Sequence, residues 1–243
     1  MKNKIVLLVL ICLNISSFAL SVVDLPDGSH YAGDIKDGKF DGFGKVEYHD
    51  GSFYEGYFSK GLYEGEGKIK NSFYEYTGTF VEGLMSGKGK FLYIDGSSYE
   101  GDIKDGFFDG EGVQVYADGS MYKGHFVKGK KEGKGILSLA NGDSYTGNFG
   151  EDNFSGQGVY TFANGQKYVG NFKNGAFEGK GKFVYKNGSE KKGVFHNGYM
   201  ENTNNINVGF IILLVALFLS NVIWLVLYLL KSKKLTPPSH PYI

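Results

Sequence analysis

Aromatic residues and glycines alternate with polar residues through the middle of the chain. One segment has the pattern Tyr76-x-Gly-x-Phe80, and the segment that follows has Gly87-x-Gly-x-Phe-x-Tyr93. Because successive side chains of a strand point to opposite faces, a period of two indicates strands with one buried face. The pattern therefore predicts two short antiparallel strands that form one hairpin.

This hairpin pattern repeats along the chain. A tyrosine followed by x-Gly recurs in steps of 22 or 23 residues, and a second glycine follows each tyrosine by 11 residues. Lys191 takes the tyrosine place in a truncated eighth copy. The sequence therefore predicts seven full hairpins and part of an eighth. The tyrosines are Tyr31, Tyr54, Tyr76, Tyr99, Tyr122, Tyr145 and Tyr168, and the glycines are Gly42, Gly65, Gly87, Gly110, Gly133, Gly156 and Gly179.

Asp-Gly or Asn-Gly pairs, such as Asp50-Gly51 and Asn141-Gly142, close most copies. Such pairs favour type I′ turns, in which both central residues have positive φ. Copy two lacks the pair, so we expect a different turn near Asn71. Asp152 stands where the other copies have glycine, and this predicts a distorted turn in copy six.

The pattern Tyr-x-Gly-x-Phe-x-x-Gly-x-x-x-Gly-x-Gly over 23 residues resembles the MORN repeat, the membrane occupation and recognition nexus motif. The resemblance covers residues 22–199. It implies an all-β fold, an elongated antiparallel β-meander with one hairpin per repeat. Protein binding, oligomerisation and membrane association are the functions that the family implies.

Both ends of the chain carry membrane signals. Residues 1–21 combine two lysines, an apolar run and small residues, which predicts a secretory signal peptide. Residues 208–230 contain no charge and are long enough for a transmembrane helix. Residues 200–207 form the predicted linker, and the lysine-rich tail 231–243 is expected on the cytosolic side.

This topology predicts a single-pass membrane protein with its repeats on the non-cytosolic side. Asn153-Phe-Ser155 and Asn187-Gly-Ser189 then become candidate glycosylation acceptors. The motif is short and often occurs by chance.

Charge is distributed unevenly along the repeats. Residues 31–121 contain 9 lysines and 17 acidic residues, whereas residues 122–199 contain 12 lysines and 6 acidic residues. The basic half is the one next to the predicted membrane helix, so its lysines are candidate contacts for anionic lipid. The alternative is an ordinary solvated surface. The candidate lipid contacts are Lys128, Lys130, Lys131, Lys191 and Lys192.

Composition argues against several classes of function. The single cysteine, Cys12, excludes a disulfide framework and a cysteine-based metal site. The five histidines are scattered without metal-ligand spacing, and the Gly-x-Gly units lie in predicted strands without a following Gly-Lys-Ser/Thr. We therefore expect no enzyme, no metal and no cofactor. The net acidity of the repeats argues against nucleic-acid binding, and the absence of arginine together with this acidity argues against phosphoinositide binding.

The sequence leaves two functions open. The first is a non-catalytic, membrane-anchored scaffold for protein binding or assembly, with an unidentified protein partner or self-association. The second is a phospholipid-recognition or membrane-contact module that resembles junctophilins, in which MORN repeats lie in the cytosol before a C-terminal membrane helix. The two hypotheses differ in the side of the membrane on which the repeats lie.

Overall fold

The computed structural model describes residues 21–201. These residues form one antiparallel sheet of 17 strands. Nearly all of the predicted signal peptide and linker, and all of the predicted transmembrane helix and tail, lie outside the described residues. Within residues 21–201, no helix is long and apolar enough to span a membrane.

Each strand pairs with the next strand in the chain, from the first pair to the last. The sheet is therefore a simple meander, and the predicted all-β class is confirmed. The strands are β1 Ser21–Asp24, β2 His30–Lys36, β3 Lys39–Glu47, β4 Phe53–Ser59, β5 Leu62–Lys70, β6 Tyr74–Val81, β7 Leu84–Tyr93, β8 Ser98–Lys104, β9 Phe107–Val115, β10 Met121–Val127, β11 Lys130–Ser138, β12 Ser144–Gly150, β13 Asn153–Thr161, β14 Lys167–Lys173, β15 Ala176–Val184, β16 Glu190–His196 and β17 Tyr199–Met200.

Each repeat is one hairpin, so copy one is β2–β3 and copy seven is β14–β15. Every one of these hairpins contains a β-bulge on its second strand. In copy five, Gly124 pairs with Gly135 and His125 pairs with Glu132, which leaves Gly133 and Lys134 as extra residues. Gly133 has a φ of +66°. The bulge requires a left-handed residue, which explains why this glycine series recurs.

The sequence predicted type I′ turns at the Asp-Gly and Asn-Gly pairs that close the copies, and this prediction was wrong. The type I′ geometry occurs instead in the turns within the hairpins. The two-residue loop Asp37-Gly38 has φ values of +52° and +72°. In Asp50-Gly51, only the glycine has positive φ, and the Gly51 N–H donates to the Tyr48 carbonyl. That arrangement is typical of a type I turn followed by a left-handed glycine, which closes a longer loop between copies.

Two irregular copies behave differently from each other. In copy two, Asn71 Oδ1 accepts hydrogen bonds from the N–H groups of Phe73 and Tyr74, so the turn differs as expected. In copy six, Asp152 adopts a φ of +71°, close to that of the glycine at the same place in copy one. The turn keeps its geometry, and the expected distortion does not occur.

The tyrosine series lies on one face of the sheet, which we call the inner face. Each tyrosine of the series is at most 1% exposed. Phenylalanines such as Phe58, Phe126 and Phe172 complete the core on the same face. The opposite surface, which we call the outer face, carries most of the exposed and charged side chains.

Candidate functional site

The inner face is closed by its own tyrosine rings. The Tyr99 ring lies against the paired glycines Gly101 and Gly112, where an added Cβ would come within 2.6 Å of the hydroxyl oxygen. The Tyr99 hydroxyl donates to the Asp102 carbonyl at 2.7 Å. The same hydroxyl-to-carbonyl hydrogen bond, three residues along the chain, occurs in all seven copies.

A second ring stacks on the tyrosine in five copies. In copy four, Tyr99 and Phe108 have ring centroids 3.5 Å apart and planes that are nearly parallel. Neighbouring copies are joined edge to face, as Tyr99 and Phe126 are at 5.4 Å. These contacts bury the rings within a single layer of sheet, so the inner face is a core rather than a binding surface.

Burial raises the pKa of the phenols on this face. The pKa of Tyr31 and of Tyr168 rises to about 12, chiefly because burial disfavours the charged phenolate, with nearby carboxylates adding to the shift. The pKa values of the five series tyrosines between them are raised as well, again chiefly because of burial. These phenols are therefore neutral hydrogen-bond donors at physiological pH.

Lys131 interrupts the aromatic core. It occupies the place of Phe108 or Phe154 in the neighbouring copies and is only 1% exposed. Its ammonium nitrogen lies 3.2 Å from Asp152 Oδ1 and 3.0 Å from the Tyr116 hydroxyl. Burial alone lowers the pKa of Lys131, but these two partners raise it above its ordinary value. Lys131 stays charged and paired, and its assignment as a lipid contact was wrong.

The other four candidate lysines lie in two separate places. Lys128 is the first residue of the turn of copy five, and Lys130 follows that turn and forms an ion pair with Glu151 at 3.2 Å. Lys191 and Lys192 lie on β16, five strands further on, which corresponds to about 24 Å. Lys191 and Lys192 point to opposite faces because they are adjacent in a strand. The structure does not bring the set together into one patch.

Recurring carboxylates connect neighbouring turns. Asp109 Oδ2 accepts the N–H of Lys128, and Glu132 Oε2 accepts the N–H of Glu151 in the next turn. In each case the donor is the first turn residue, which has positive φ. These acidic residues hold adjacent repeats together. Sequence periodicity indicated that they recur but did not show this role.

The histidines of the strands contact carboxylates singly or in pairs. His125 lies 3.3 Å from Glu111, and His196 lies between Glu178 and Glu201 at 3.3 and 3.0 Å. The hydrogen bond with Glu178 is the main cause that raises the pKa of His196. Within residues 21–201, no cluster of three or more histidine, cysteine or acidic side chains has metal-binding geometry.

The two glycosylation candidates differ in their surroundings. Both are exposed, but the Asn153 side-chain nitrogen donates to the Glu151 carbonyl at 2.9 Å beside a tight turn. Asn187 lies in a wider loop, where its Oδ1 accepts the N–H of Ser189. The side-chain atom that forms a hydrogen bond is therefore Oδ1 in Asn187 and Nδ2 in Asn153.

The outer face exposes apolar side chains in several consecutive copies. Phe43 and Tyr57 form a partly exposed edge-to-face pair with centroids 5.4 Å apart. Leu92 is 46% exposed and Ile136 is 45% exposed. Exposed apolar groups that line one face mark candidate contact surfaces for other molecules. The outer face is therefore the candidate functional site.

Charge varies strongly from copy to copy on this face. Strands β12 and β13 of copy six contain no charged residue at all. Val159 and Thr146 are direct cross-strand neighbours there, and Val169 of the next copy continues the row. The amide of Gln157 donates to Asn171 Oδ1 at 2.7 Å. Copy six thus presents an uncharged outer face between charged copies.

Comparison with known proteins agrees with this architecture. The MORN-repeat family model matches residues 31–53, 54–70, 76–98, 99–121, 122–144, 145–167 and 168–190. These matches cover more than half of the chain, so the chain belongs to the MORN-repeat family. The second match is the shortest, in accordance with the altered turn of copy two. A search of the curated proteins found no match.

Among solved structures, the TCP domain of Drosophila melanogaster SAS-4 (dCPAP), in complex with a proline-rich motif of Ana2 (dSTIL), is similar at 10% identity and a TM-score of 0.40. That match covers 71% of this chain and 88% of the SAS-4 chain. The TCP10c domain of Drosophila melanogaster Sas-4 has 11% identity and a TM-score of 0.37, with 71% and 97% of the two chains covered.

Proposed function

We propose that this protein is a non-catalytic, membrane-anchored scaffold that binds proteins through the outer face of its repeats. One observation carries the proposal. The inner face is filled by the tyrosine and phenylalanine rings of the array, whereas the outer face exposes side chains such as Leu92 and Ile136. Only the outer face is therefore open to a macromolecule.

The polar groups of the array support a scaffold rather than a catalyst. Carboxylates such as Asp109 and Glu132 bind backbone N–H groups of the following turn. The buried ammonium of Lys131 is paired with Asp152 and Tyr116. These groups connect consecutive repeats, and nearest-neighbour contacts are what stabilise a repeat array.

The membrane anchor and the topology rest on sequence alone. The apolar segment 208–230 and the lysines that follow it support a single span with a cytosolic tail. The signal-like residues 1–21 support repeats on the non-cytosolic side. In this arrangement the scaffold collects its partners close to one membrane surface.

Site-specific photo-cross-linking in membranes tests the scaffold. A photoreactive amino acid would replace Leu92 or Ile136 on the outer face of the full-length chain. Asn164, in an exposed loop between copies, is the matched control position. We expect protein adducts from both outer-face positions and not from the loop. If the outer-face positions give no protein adduct in membranes from the native source, the scaffold proposal is wrong.

The phospholipid alternative depends on the surface lysines. Three of its five candidate residues are exposed and Lys130 is partly buried, and these four lie in two places about 24 Å apart. Each place offers at most two ammonium groups, which corresponds to weak attraction to an anionic surface. Protein binding is therefore the stronger proposal.

A further inference from the structure

The last hairpin of the array, β16–β17, lacks the contacts that hold the other hairpins together. Within residues 21–201, its second strand consists of two residues, which pair with Phe195 and His196. Lys191 stands at the tyrosine place and is exposed, so the ring that closes each earlier copy is missing here. Met200 lies beside Gly193 instead, where an added Cβ would come within 2.9 Å of Met200 Cγ. The aromatic packing of the earlier copies therefore does not hold β17 to the sheet.

Charged side chains connect this hairpin to copy seven instead. His196 Nδ1 lies 3.3 Å from Glu178 Oε1, and His196 Nε2 lies 3.0 Å from Glu201 Oε1. Glu178 belongs to β15 and Glu201 follows β17, so the imidazole bridges the strands on both sides of β16. Glu178 Oε2 also accepts the N–H of Asn197, and the N–H of Glu201 donates to the Val194 carbonyl. We call the side chains of His196, Glu178 and Glu201 the latch.

The geometry of the latch requires a protonated imidazole. An ionised carboxylate can only accept hydrogen bonds, and a neutral imidazole has a single N–H. Because a carboxylate oxygen lies at each ring nitrogen of His196, both nitrogens can donate only in the imidazolium form. In the neutral form, one nitrogen lone pair would face a carboxylate and one of the two hydrogen bonds would be lost. His30 and His125 differ, since each of them contacts a single carboxylate.

We propose that the latch is a pH-sensitive switch, which docks β17 on the sheet when His196 is protonated and releases it when His196 is neutral. The switch regulates the tether of the membrane-anchored scaffold, and in this respect it rests on the proposed function. Residues 199–201 lead from the array toward the predicted membrane helix. Their release would lengthen the tether by about 10 Å, at roughly 3.3–3.6 Å per residue. Protonation therefore keeps the array closer to the membrane surface.

Three neighbouring strands place titratable groups around His196. Glu178 lies on β15, Glu201 follows β17, and the Tyr199 phenol on β17 is the direct cross-strand neighbour of His196. Lys173, at the end of β14, interacts with Glu178. Backbone hydrogen bonding is the largest cause that lowers the pKa of Glu178, and His196 and Lys173 add to it. Glu178 therefore remains ionised while the histidine titrates.

The direction of the response follows from the pKa of His196. The hydrogen bond with Glu178 is the largest cause that raises this pKa above its ordinary value, and Glu201 adds to it, although desolvation acts in the opposite direction. A group whose pKa is raised by docking stabilises the docked form at low pH, and this contribution is lost as pH rises through the raised value. The latch therefore opens as pH rises through the range in which histidine titrates.

Cysteine labelling in the full-length chain measures the opening. Met200 lies at the same repeat place as Met85 of copy three, and both are partly buried. In a Cys12→Ser background, one chain carries Met200→Cys and the matched control carries Met85→Cys. The ratio of their maleimide labelling rates corrects for the ionisation of the thiol. We expect this ratio to rise about 2–5-fold from about pH 5.5 to about pH 8.5, in keeping with contacts between exposed charges.

Two substitutions at His196 use residue types that other copies carry at the same place. His196→Lys keeps a positive charge at both pH values, so Met200→Cys should react slowly throughout. His196→Val removes the charge, so Met200→Cys should react fast throughout. An unchanged ratio with His196 present, or the same pH response in either variant, would overturn the proposal. The equivalent residues are Val81 in copy three, Lys104 in copy four, Val127 in copy five and Lys173 in copy seven.

Hydrogen exchange in the wild-type chain provides a second measurement, without any substitution. In the docked form the Glu201 N–H donates to the Val194 carbonyl at 2.8 Å. After correction for the intrinsic pH dependence of exchange, we expect the protection of residues 195–201 to fall as pH rises and that of residues 172–178 to stay constant. Equal changes in both segments would contradict the latch. Neither experiment needs a partner, so their failure leaves the scaffold proposal intact, and a lack of photo-cross-linked adducts leaves the latch intact.

Discussion

The Lys131 ammonium and the Asp152 carboxylate form a buried ion pair between copies five and six, with 3.2 Å between Nζ and Oδ1. Both residues depart from the repeat pattern, since the equivalent places hold an aromatic residue or methionine and a glycine. Asp152 Oδ1 also accepts the N–H of Lys131 at 2.9 Å. The two departures therefore compensate each other, and only this pair of copies can dock in this way.

This pair predicts strong non-additivity between two substitutions. Asp152→Gly restores the preferred residue for positive φ but leaves a buried ammonium without its carboxylate, so we expect a loss of about 2 kcal/mol in the free energy of unfolding. Lys131→Phe with Asp152→Gly restores the consensus and should be at least as stable as the wild type. Denaturant unfolding measures both. Glu151→Gly, in the same turn but exposed, is the control, and a larger loss there would contradict the explanation.

The buried tyrosines predict a defined loss of stability at alkaline pH. Their folded pKa values are raised, to about 12 for Tyr31 and Tyr168, so folding favours the neutral phenol. Stability should be complete below the unfolded value of about 10 and should fall as pH rises toward 12. Phenolate absorbance and circular dichroism during an alkaline titration should change together. Ionisation of most tyrosines without loss of the sheet would contradict the burial.

Glycines under the tyrosine rings should tolerate substitution less than glycines outside the core. An added Cβ at Gly112 would lie 2.5 Å from the Tyr99 hydroxyl, whereas at Gly150 it would meet Ser155 at 3.6 Å. Gly112→Ala should therefore cost about 1–3 kcal/mol through overpacking, and Gly150→Ala should cost little. Gly119→Val, which forces a β-branched residue into a φ of +88°, should also cost about 1–3 kcal/mol. Equal unfolding midpoints for the alanine variants would refute this packing.

Topology can be tested in sealed microsomes with the full-length chain. We expect the repeats to resist added protease and a C-terminal tag to be digested. If the repeats are lumenal, Asn187 should be glycosylated more efficiently than Asn153, whose side-chain nitrogen is engaged beside a tight turn. Asn187→Gln should then remove most of the mass shift. Digestion of the repeats from the cytosolic side would support the junctophilin-like alternative.

Anionic vesicles test the lysine hypothesis in its revised form, without Lys131. The full-length chain is reconstituted in nanodiscs, which keeps it free of detergent. It should bind vesicles that contain phosphatidylserine only weakly, and this binding should decrease at high salt. Each lysine near the surface contributes about 1 kcal/mol, so replacing either exposed pair by glutamine should reduce binding by about 5–30-fold. The pairs are Lys128 with Lys130 and Lys191 with Lys192. Replacing Lys36 and Lys39 is the control, and an equal loss there would reject a specific role for the basic half.

Much of the fold was accessible from local sequence. The hairpin count, the family and the buried tyrosine face follow from the two-residue alternation and the 23-residue period, because both reflect contacts within one hairpin or with the next. The turn types were harder to predict. Asp37-Gly38 and Asp50-Gly51 are identical dipeptides, yet only the first has positive φ at both residues. Loop length and the position of the bulge decide between them, and these depend on strand pairing.

The sequence by itself determined a repetitive β-array with an aromatic face, because alternating side chains and obligatory glycines leave a local record. Only the tertiary structure decided where individual charges lie. Lys131 lies far in sequence from both of its partners, so its local pattern predicts a surface lysine, whereas folding places it beside Asp152 and Tyr116. The row of Thr146, Val159 and Val169 on the outer face likewise forms only when neighbouring strands align their side chains, since burial and pairing are properties of assembled strands.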